Sequence, residues 1–195
     1  MGLREELRSV GKRKAQALVG ESSGEGDSSF LPRSQRSAAR SDWPSVVIEA
    51  GYSQSEESLR VKAGWWLRES NFDVKVVLLI KMHVAQRRIV IEKWQGVPPI
   101  GYQGPVTRSR SYAPPLPPLE PRSVQRIDIT RAANITDVHP QRFNPASYNV
   151  AGGNLQIEFD HLFLRPAQPP READIVLDVA CLQRFAVACW ETVHV

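Results

Sequence analysis

Apolar runs separated by polar stretches predict a sheet in the first half of the chain. Residues 45–50 read SVVIEA and are bounded by a proline and a glycine, a pattern that favours a strand rich in β-branched residues. Residues 74–82 are almost continuously apolar, which is typical of a central strand covered on both faces. Residues 88–94 follow a short polar turn at residues 85–87 and predict the second arm of a β-hairpin.

An amphipathic helix is predicted between the first two of these strands, over residues 55–69. Ser53 and Glu56 match a capping box, in which Ser53 is the N-cap and Glu56 reaches back to it. Apolar side chains then recur at helical spacing and form one face that can lie on a sheet: Leu59, Ala63 and Trp66.

The second half of the chain predicts further strands and a C-terminal helix. Residues 123–131 alternate between polar and apolar positions, as a half-buried strand does. Residues 154–166 predict a second alternating strand, with these apolar positions on one face: Leu155, Ile157, Phe159 and Phe163. The segment from residue 174 predicts a short strand or turn and then a helix with this apolar stripe: Leu182, Phe185 and Cys189.

The chain length and the loop composition indicate one domain with an insertion. A chain of 195 residues is long enough for one sizeable core. Many of the fifteen prolines fall in residues 96–122, which predict an irregular loop insertion. Residues 1–20 predict a basic arm whose thin apolar stripe leaves its helical character open. We therefore expect a single domain over residues 21–195, with a very short first strand near residues 27–31.

Charge and targeting signals narrow the class of protein. The formal net charge is +4, and arginine and lysine cluster in the first forty residues, so nucleic acid is a candidate partner and solvated tails are the alternative. The opening residues lack the apolar core of a secretory signal, and no apolar run approaches the ~18 residues that a membrane span requires. We expect an intracellular protein, cytoplasmic or nuclear, without a membrane partner. Cys181 and Cys189 lie on the predicted C-terminal helix, too far apart for a disulfide.

Two acidic residues at predicted strands are the candidates for chemistry. Asp27 and Glu49 lie on or beside neighbouring strands, and two such carboxylates can share a divalent cation of the Mg²⁺ type, which takes oxygen ligands and keeps water. Structural roles for both residues stay open. Glu49 can cap the following helix or end its strand at the sheet edge, and Asp27 lies in a Gly/Ser-rich stretch that suits a turn.

The order of motifs in the chain resembles a known superfamily. GDSSF, WPSVVIEAGYSQSEESLRVKAGWW and VKVVLLIK together resemble a group of uncharacterised fungal proteins that are similar to the Uma2-like branch of the PD-(D/E)xK restriction-endonuclease-like superfamily. The later FDHLFLRPAQPPREADIVL resembles the closing part of those proteins. The resemblance implies an α/β fold with a restriction-endonuclease-like mixed sheet flanked by helices.

The same resemblance implies a catalytic site. Asp27 matches the metal-binding aspartate and Glu49 the second acid, so Mg²⁺ is the implied cofactor. The superfamily lysine belongs two residues after the second acid, where this chain has Gly51; the resemblance implies that Lys62, on the predicted helix, takes its place. An ordinary solvated lysine is the alternative for Lys62. The expected function is nuclease-like phosphodiester hydrolysis, and the alternative is an inactive homologue that binds protein or nucleic acid.

Overall fold

The structure is a computed structural model that describes residues 6–11, 14–16, 23–36, 42–101 and 118–193. Strands make up most of the regular structure in these ranges. They are β1 (Leu7–Ser9), β2 (Lys14–Gln16), β3 (Ser23–Glu25), β4 (Ser28–Pro32), β5 (Val46–Gly51), β6 (Val76–His83), β7 (Arg88–Val97), β8 (Glu120–Arg131), β9 (Tyr148–Ala151), β10 (Leu155–Ile157) and β11 (Ile175–Leu177). The helices there are α1 (Glu56–Glu69), α2 (Phe159–Phe163) and α3 (Val179–Thr192).

A mixed sheet of seven strands forms the centre of the molecule, in the order β1-β4-β5-β6-β7-β8-β9. β5 and β6 are parallel because α1 crosses between them, whereas the other neighbouring pairs are antiparallel. The predicted strands at residues 45–50, 74–82, 88–94 and 123–131 are confirmed, with shifted ends. The α/β class with a mixed sheet and flanking helices is therefore confirmed.

Helices cover the two faces of the sheet, because alternate side chains of the buried strands point in opposite directions. The face beneath α1 has a core of these side chains: Val47, Val77, Leu79, Leu59, Ala63, Trp66 and Leu67. The opposite face is covered by α2 and α3, and its core includes Val46, Val76, Leu78, Phe159, Leu162, Leu182 and Ala186. Glu49 occupies one of the positions of β5 that face α1, so its carboxylate points towards the helix.

The N-terminus of α1 differs from the prediction. Ser55, and not Ser53, is the N-cap: its side chain accepts a hydrogen bond of 3.1 Å from the amide of Ser58. The capping box at Ser53 is therefore wrong. Glu56 instead accepts hydrogen bonds from Arg60 and Arg126, so its carboxylate binds side chains and not the end of its own helix.

The strand predicted over residues 154–166 is also wrong beyond its first residues. β10 ends at Ile157, and α2 follows from Phe159. Phe159 and Phe163 are four residues apart, a spacing that places both on one face of a helix as well as of a strand, and their rings stack with centroids 4.4 Å apart. One short helix is enough to bury both rings against the sheet.

Described residues near the N-terminus and at the borders of the proline-rich segment form strands. In the described part of residues 1–20, residues 7–9 and 14–16 are strands: β1 pairs with β4, and β2 pairs with β3. Within the predicted loop insertion, residues 96–97 belong to β7 and residues 120–122 to β8. Residues 102–117 lie outside the described residues. No helix within the described ranges is long and apolar enough to cross a membrane.

Candidate functional site at the start of β4 and the end of β5

Asp27 lies immediately before β4, next to the end of β5. The antiparallel register pairs Ser28 with Ile48, so the chain places Asp27 beside the segment that starts at Glu49. Asp27 Oδ2 accepts a hydrogen bond of 2.8 Å from the backbone amide of Ala50. The Asp27 side chain is exposed. This contact fixes an accessible carboxylate at the residue that follows Glu49.

Glu49 is 1% exposed and is held by two side chains of α1. Its Oε1 accepts a hydrogen bond of 2.7 Å from Trp66 Nε1, and its Oε2 accepts one of 3.1 Å from Lys62 Nζ. Lys62 and Trp66 are four residues apart and so lie on the same face of the helix. The amphipathic pattern that packs α1 on β5 therefore also delivers an ammonium and an indole N–H to a buried carboxylate.

The packing around Gly51 explains why a glycine stands two residues after Glu49. A Cβ at Gly51 would lie 2.8 Å from Cδ1 of Leu59, inside van der Waals contact. Leu59 belongs to the buried face of α1, so a larger residue at position 51 would push the helix away from the strand. The positively charged side chain that reaches Glu49 is instead that of Lys62, on α1.

Of the three residues singled out in the sequence, Glu49 and Lys62 form an ion pair, and Asp27 is bonded to the backbone amide of the residue that follows Glu49. The described part of the chain holds no group of three or more metal-binding side chains. Mg²⁺ binds through one or two carboxylates while it keeps several waters, so Asp27 and Glu49 are the side chains that would hold it. Each Glu49 oxygen already accepts one hydrogen bond, and a carboxylate oxygen has capacity for a second partner.

A second polar cluster, which the sequence analysis missed, lies at the N-terminal end of α1. Arg60 donates hydrogen bonds to Glu92 at 2.7 Å and to Glu56 at 2.9 Å, and Arg126 donates to both acids. Burial raises the pKa of Glu92, but the hydrogen bonds from Arg60 and Trp94 and the positive charges of Arg60 and Arg126 together outweigh burial and hold that pKa below its ordinary value. Glu56 and Arg126 are seventy positions apart, a separation at which periodicity carries no signal. All four groups are paired, so the cluster ties α1 to β7 and β8.

Comparison of the chain with protein-family models and with curated proteins found no match. The fold and the candidate site therefore define the class of protein only as an α/β protein with a mixed sheet. Its distinguishing feature is the Glu49–Lys62 ion pair near the end of β5, with the Asp27 carboxylate, just before the start of β4, bonded to the amide of Ala50.

Proposed function

We propose that the chain is a nuclease-like protein that hydrolyses phosphodiester bonds with Mg²⁺, using Asp27 and Glu49 as metal ligands. One observation carries this proposal. Asp27 is bonded to the amide of Ala50, while the carboxylate of the preceding residue, Glu49, is bonded to Lys62. Two carboxylates and one ammonium group, which come from separate parts of the chain, thus lie around the end of β5.

Each residue has a role that its surroundings support. Asp27 is exposed and oriented by a backbone hydrogen bond, as a ligand open to solvent should be. Glu49 is fixed by Trp66, so its position costs little further ordering when a cation arrives. When bound, Mg²⁺ supplies a polarised phosphate and a water with a lowered pKa.

Lys62 is the proposed charge-stabilising and water-orienting group. Its side chain is 39% exposed, whereas that of Glu49 is 2% exposed, so the ammonium reaches from solvent to the buried acid. A phosphate that approaches from the solvent side meets this ammonium, and fixed positive charge there stabilises negative charge that develops on the phosphate. The net charge of +4 favours nucleic acid as the source of that phosphate.

The second candidate function is a catalytically inactive protein of the same fold that binds protein or nucleic acid. The observation that favours it is the near-complete burial of Glu49, whose two oxygens are already hydrogen-bonded to α1. In this case Glu49 only fastens the helix to β5. The restriction-endonuclease-like fold and the family resemblance are part of the same proposal and are compatible with both functions.

A cleavage assay separates the two functions. Single- and double-stranded DNA and RNA are incubated with the wild-type protein and Mg²⁺ or Mn²⁺, and then with Asp27→Asn, Glu49→Gln and Lys62→Gln. Glu57→Gln is the matched control, because Glu57 lies on the same helix with a side chain that is 78% exposed. We expect metal-dependent cleavage that falls at least a hundredfold in the three site variants and persists in the control.

Two further outcomes decide between the candidates. Equal cleavage by the wild type and all site variants excludes the site and points to a contaminating nuclease. Salt-sensitive nucleic-acid binding without cleavage supports the inactive protein, because phosphate contacts release counterions whether or not a bond is broken. Circular dichroism of each variant verifies that loss of activity does not reflect unfolding.

A further inference from the structure

A small cavity rich in arginine lies away from the carboxylate site, where the turn after β6, the end of β8 and the end of α3 meet. Its volume is about 240 Å³. Three arginines, one aspartate and two aromatic residues line most of it: Arg87, Arg131, Arg142, Asp137, Phe143 and Trp190. We call it the arginine cavity. Pockets that hold drug-sized ligands have volumes of about 300–1,000 Å³, so a cavity of this volume suits a smaller group.

Asp137 organises two of the arginines. Arg87 Nε donates to Asp137 Oδ1 at 2.7 Å, and Arg131 Nη2 donates to the same oxygen at 2.5 Å. These contacts hold two guanidinium groups in fixed positions at one wall of the cavity. Fixed guanidinium groups lose little entropy when they bind an anion, which favours tight recognition.

Arg142 carries a positive charge that no described carboxylate pairs with. It donates to the backbone carbonyl oxygen of Asp137 and lies over the ring of Phe143, 4.4 Å from the centroid. Glu191 also lines the cavity, so its wall carries three guanidinium groups against two carboxylates. The cavity therefore has a net positive charge of one, and the charge of Arg142 is available to a ligand.

Two buried donors of the cavity lining lack an acceptor among the described residues. They are Nε of Arg131 and Nε1 of Trp190. The Arg131 side chain is only 5% exposed. Proteins rarely leave buried donors unpaired, because a donor that loses its hydrogen bonds to water and gains none in the protein destabilises the fold. Positive charge and unpaired donors together call for a ligand that is anionic and rich in acceptors.

We propose that the arginine cavity binds a phosphate group. Phosphate offers several acceptor oxygens and up to two negative charges, and the planar guanidinium fork matches its geometry. Its small size fits the cavity, while the ring of Trp190, with Arg87 5.8 Å from its centroid, forms an aromatic wall. This inference does not depend on the proposed hydrolysis, because none of its residues belongs to the carboxylate site.

The test measures thermal unfolding and titration calorimetry with inorganic phosphate, against sodium chloride at the same ionic strength. At a phosphate concentration about ten times the Kd, the unfolding midpoint should rise by about 3–6 °C. Arg142→Gln should abolish this rise, since it removes the unpaired charge. Trp190→Phe should weaken binding severalfold, since it removes one donor and keeps the ring. Arg184→Gln is the matched control, because Arg184 is an exposed arginine of α3 outside the cavity lining, and it should respond as the wild type does.

A nucleoside 5′-monophosphate and its unphosphorylated nucleoside distinguish the source of the phosphate. Tighter binding of the monophosphate than of inorganic phosphate supports a nucleotide or nucleic-acid phosphate, and equal binding supports free phosphate. Asp27→Asn should leave all of these responses unchanged, so failure of the proposed hydrolysis does not affect them. The proposal is overturned if chloride stabilises as much as phosphate, if Arg142→Gln retains the full response, or if Asp27→Asn abolishes it.

Discussion

Lys62 Nζ lies 3.1 Å from Glu49 Oε2, and the two partners of this ion pair differ sharply in exposure. The lysine side chain is 39% exposed and the glutamate side chain 2%. Removal of either partner therefore has an unequal effect. An ammonium left alone can turn into solvent, whereas a carboxylate left alone stays in apolar surroundings with Trp66 as its remaining partner.

The first prediction follows from this asymmetry. Lys62→Met should lower the free energy of unfolding by about 1–3 kcal/mol, because it strips a buried carboxylate of one partner. Glu49→Gln should cost less, because an uncharged amide that lacks one partner costs less to bury than a carboxylate that lacks its cation, and the freed ammonium becomes hydrated. Urea denaturation at pH 7 measures both, with Lys62→Arg as the control that keeps the charge. A larger loss in Glu49→Gln than in Lys62→Met would contradict this account.

The second prediction concerns the start of α1. Ser55→Ala removes the side-chain acceptor for the amide of Ser58 and should destabilise the protein by about 1 kcal/mol, the usual value of an N-cap. Ser53→Ala is the control, because Ser53 is exposed and precedes the cap; it should change stability by less than about 0.5 kcal/mol. Thermal and urea unfolding of the pair measure the difference. A larger loss of stability in Ser53→Ala than in Ser55→Ala would instead support a capping box at Ser53.

The sequence predicted those elements whose pattern of apolar residues favours one kind of secondary structure. The continuous apolar run of β6 fits a buried strand, and the Leu59, Ala63 and Trp66 spacing fits a helix, so both were predicted correctly. α2 was not, because Phe159 and Phe163 fit a strand face and a helix face equally well. Sequence alone could not choose between them; the choice depends on how the pair packs over the sheet.

The candidate site was predictable in part for a similar reason. Lys62 shares a helix face with Trp66, and Glu49 lies near the end of the preceding strand, so their approach follows from local pattern. The hydrogen bond from Trp66 to Glu49 has a signal in the same spacing, but that spacing by itself predicts only packing against the sheet. The arginine cavity had none, since Arg87 and Asp137 are fifty residues apart and meet only through the sheet.

The third prediction concerns two adjacent glycines after β9, both with positive φ. Gly152 has φ +103°, and a Cβ there would collide with the backbone carbonyl of Arg126; Gly153 has φ +78° and open space around it. Gly153→Ala should therefore cost only the backbone strain, about 1 kcal/mol. Gly152→Ala should cost clearly more, because β8 must also move. Equal losses in urea denaturation would contradict the close approach.

The fourth prediction concerns the reactivity of Cys189. Burial raises the pKa of the Cys189 thiol to about 11, from an ordinary value of 9.0. Only the thiolate reacts with iodoacetamide, so at pH 8 the folded protein should label at this residue about a hundredfold more slowly than the unfolded chain. Mass spectrometry of a Cys181→Ser variant isolates the signal, and labelling in urea is the control. Equal rates in both states would show that the thiol is not buried.

The last prediction concerns acid stability at the arginine cavity. Hydrogen bonds from Arg87, and then from Arg131, hold the pKa of Asp137 well below its ordinary value of 3.8. A carboxyl whose pKa is lowered by folding stabilises the protein above its unfolded pKa, and this stabilisation is lost as the pH falls below that value. The Asp137 side chain is 47% exposed, so solvent screens the effect and added salt should reduce it.

Urea denaturation between pH 6 and pH 3 measures this loss. The wild type should lose stability more steeply below about pH 4 than Asp137→Asn, which has no carboxyl to protonate at this position. Asp160→Asn is the matched control, because Asp160 is an exposed aspartate of α2 outside the arginine cavity, and its profile should follow the wild type. Parallel profiles for the wild type and Asp137→Asn would mean that the arginines do not favour the ionised carboxylate. Asp137 would then not be what orders Arg87 and Arg131 at the cavity wall.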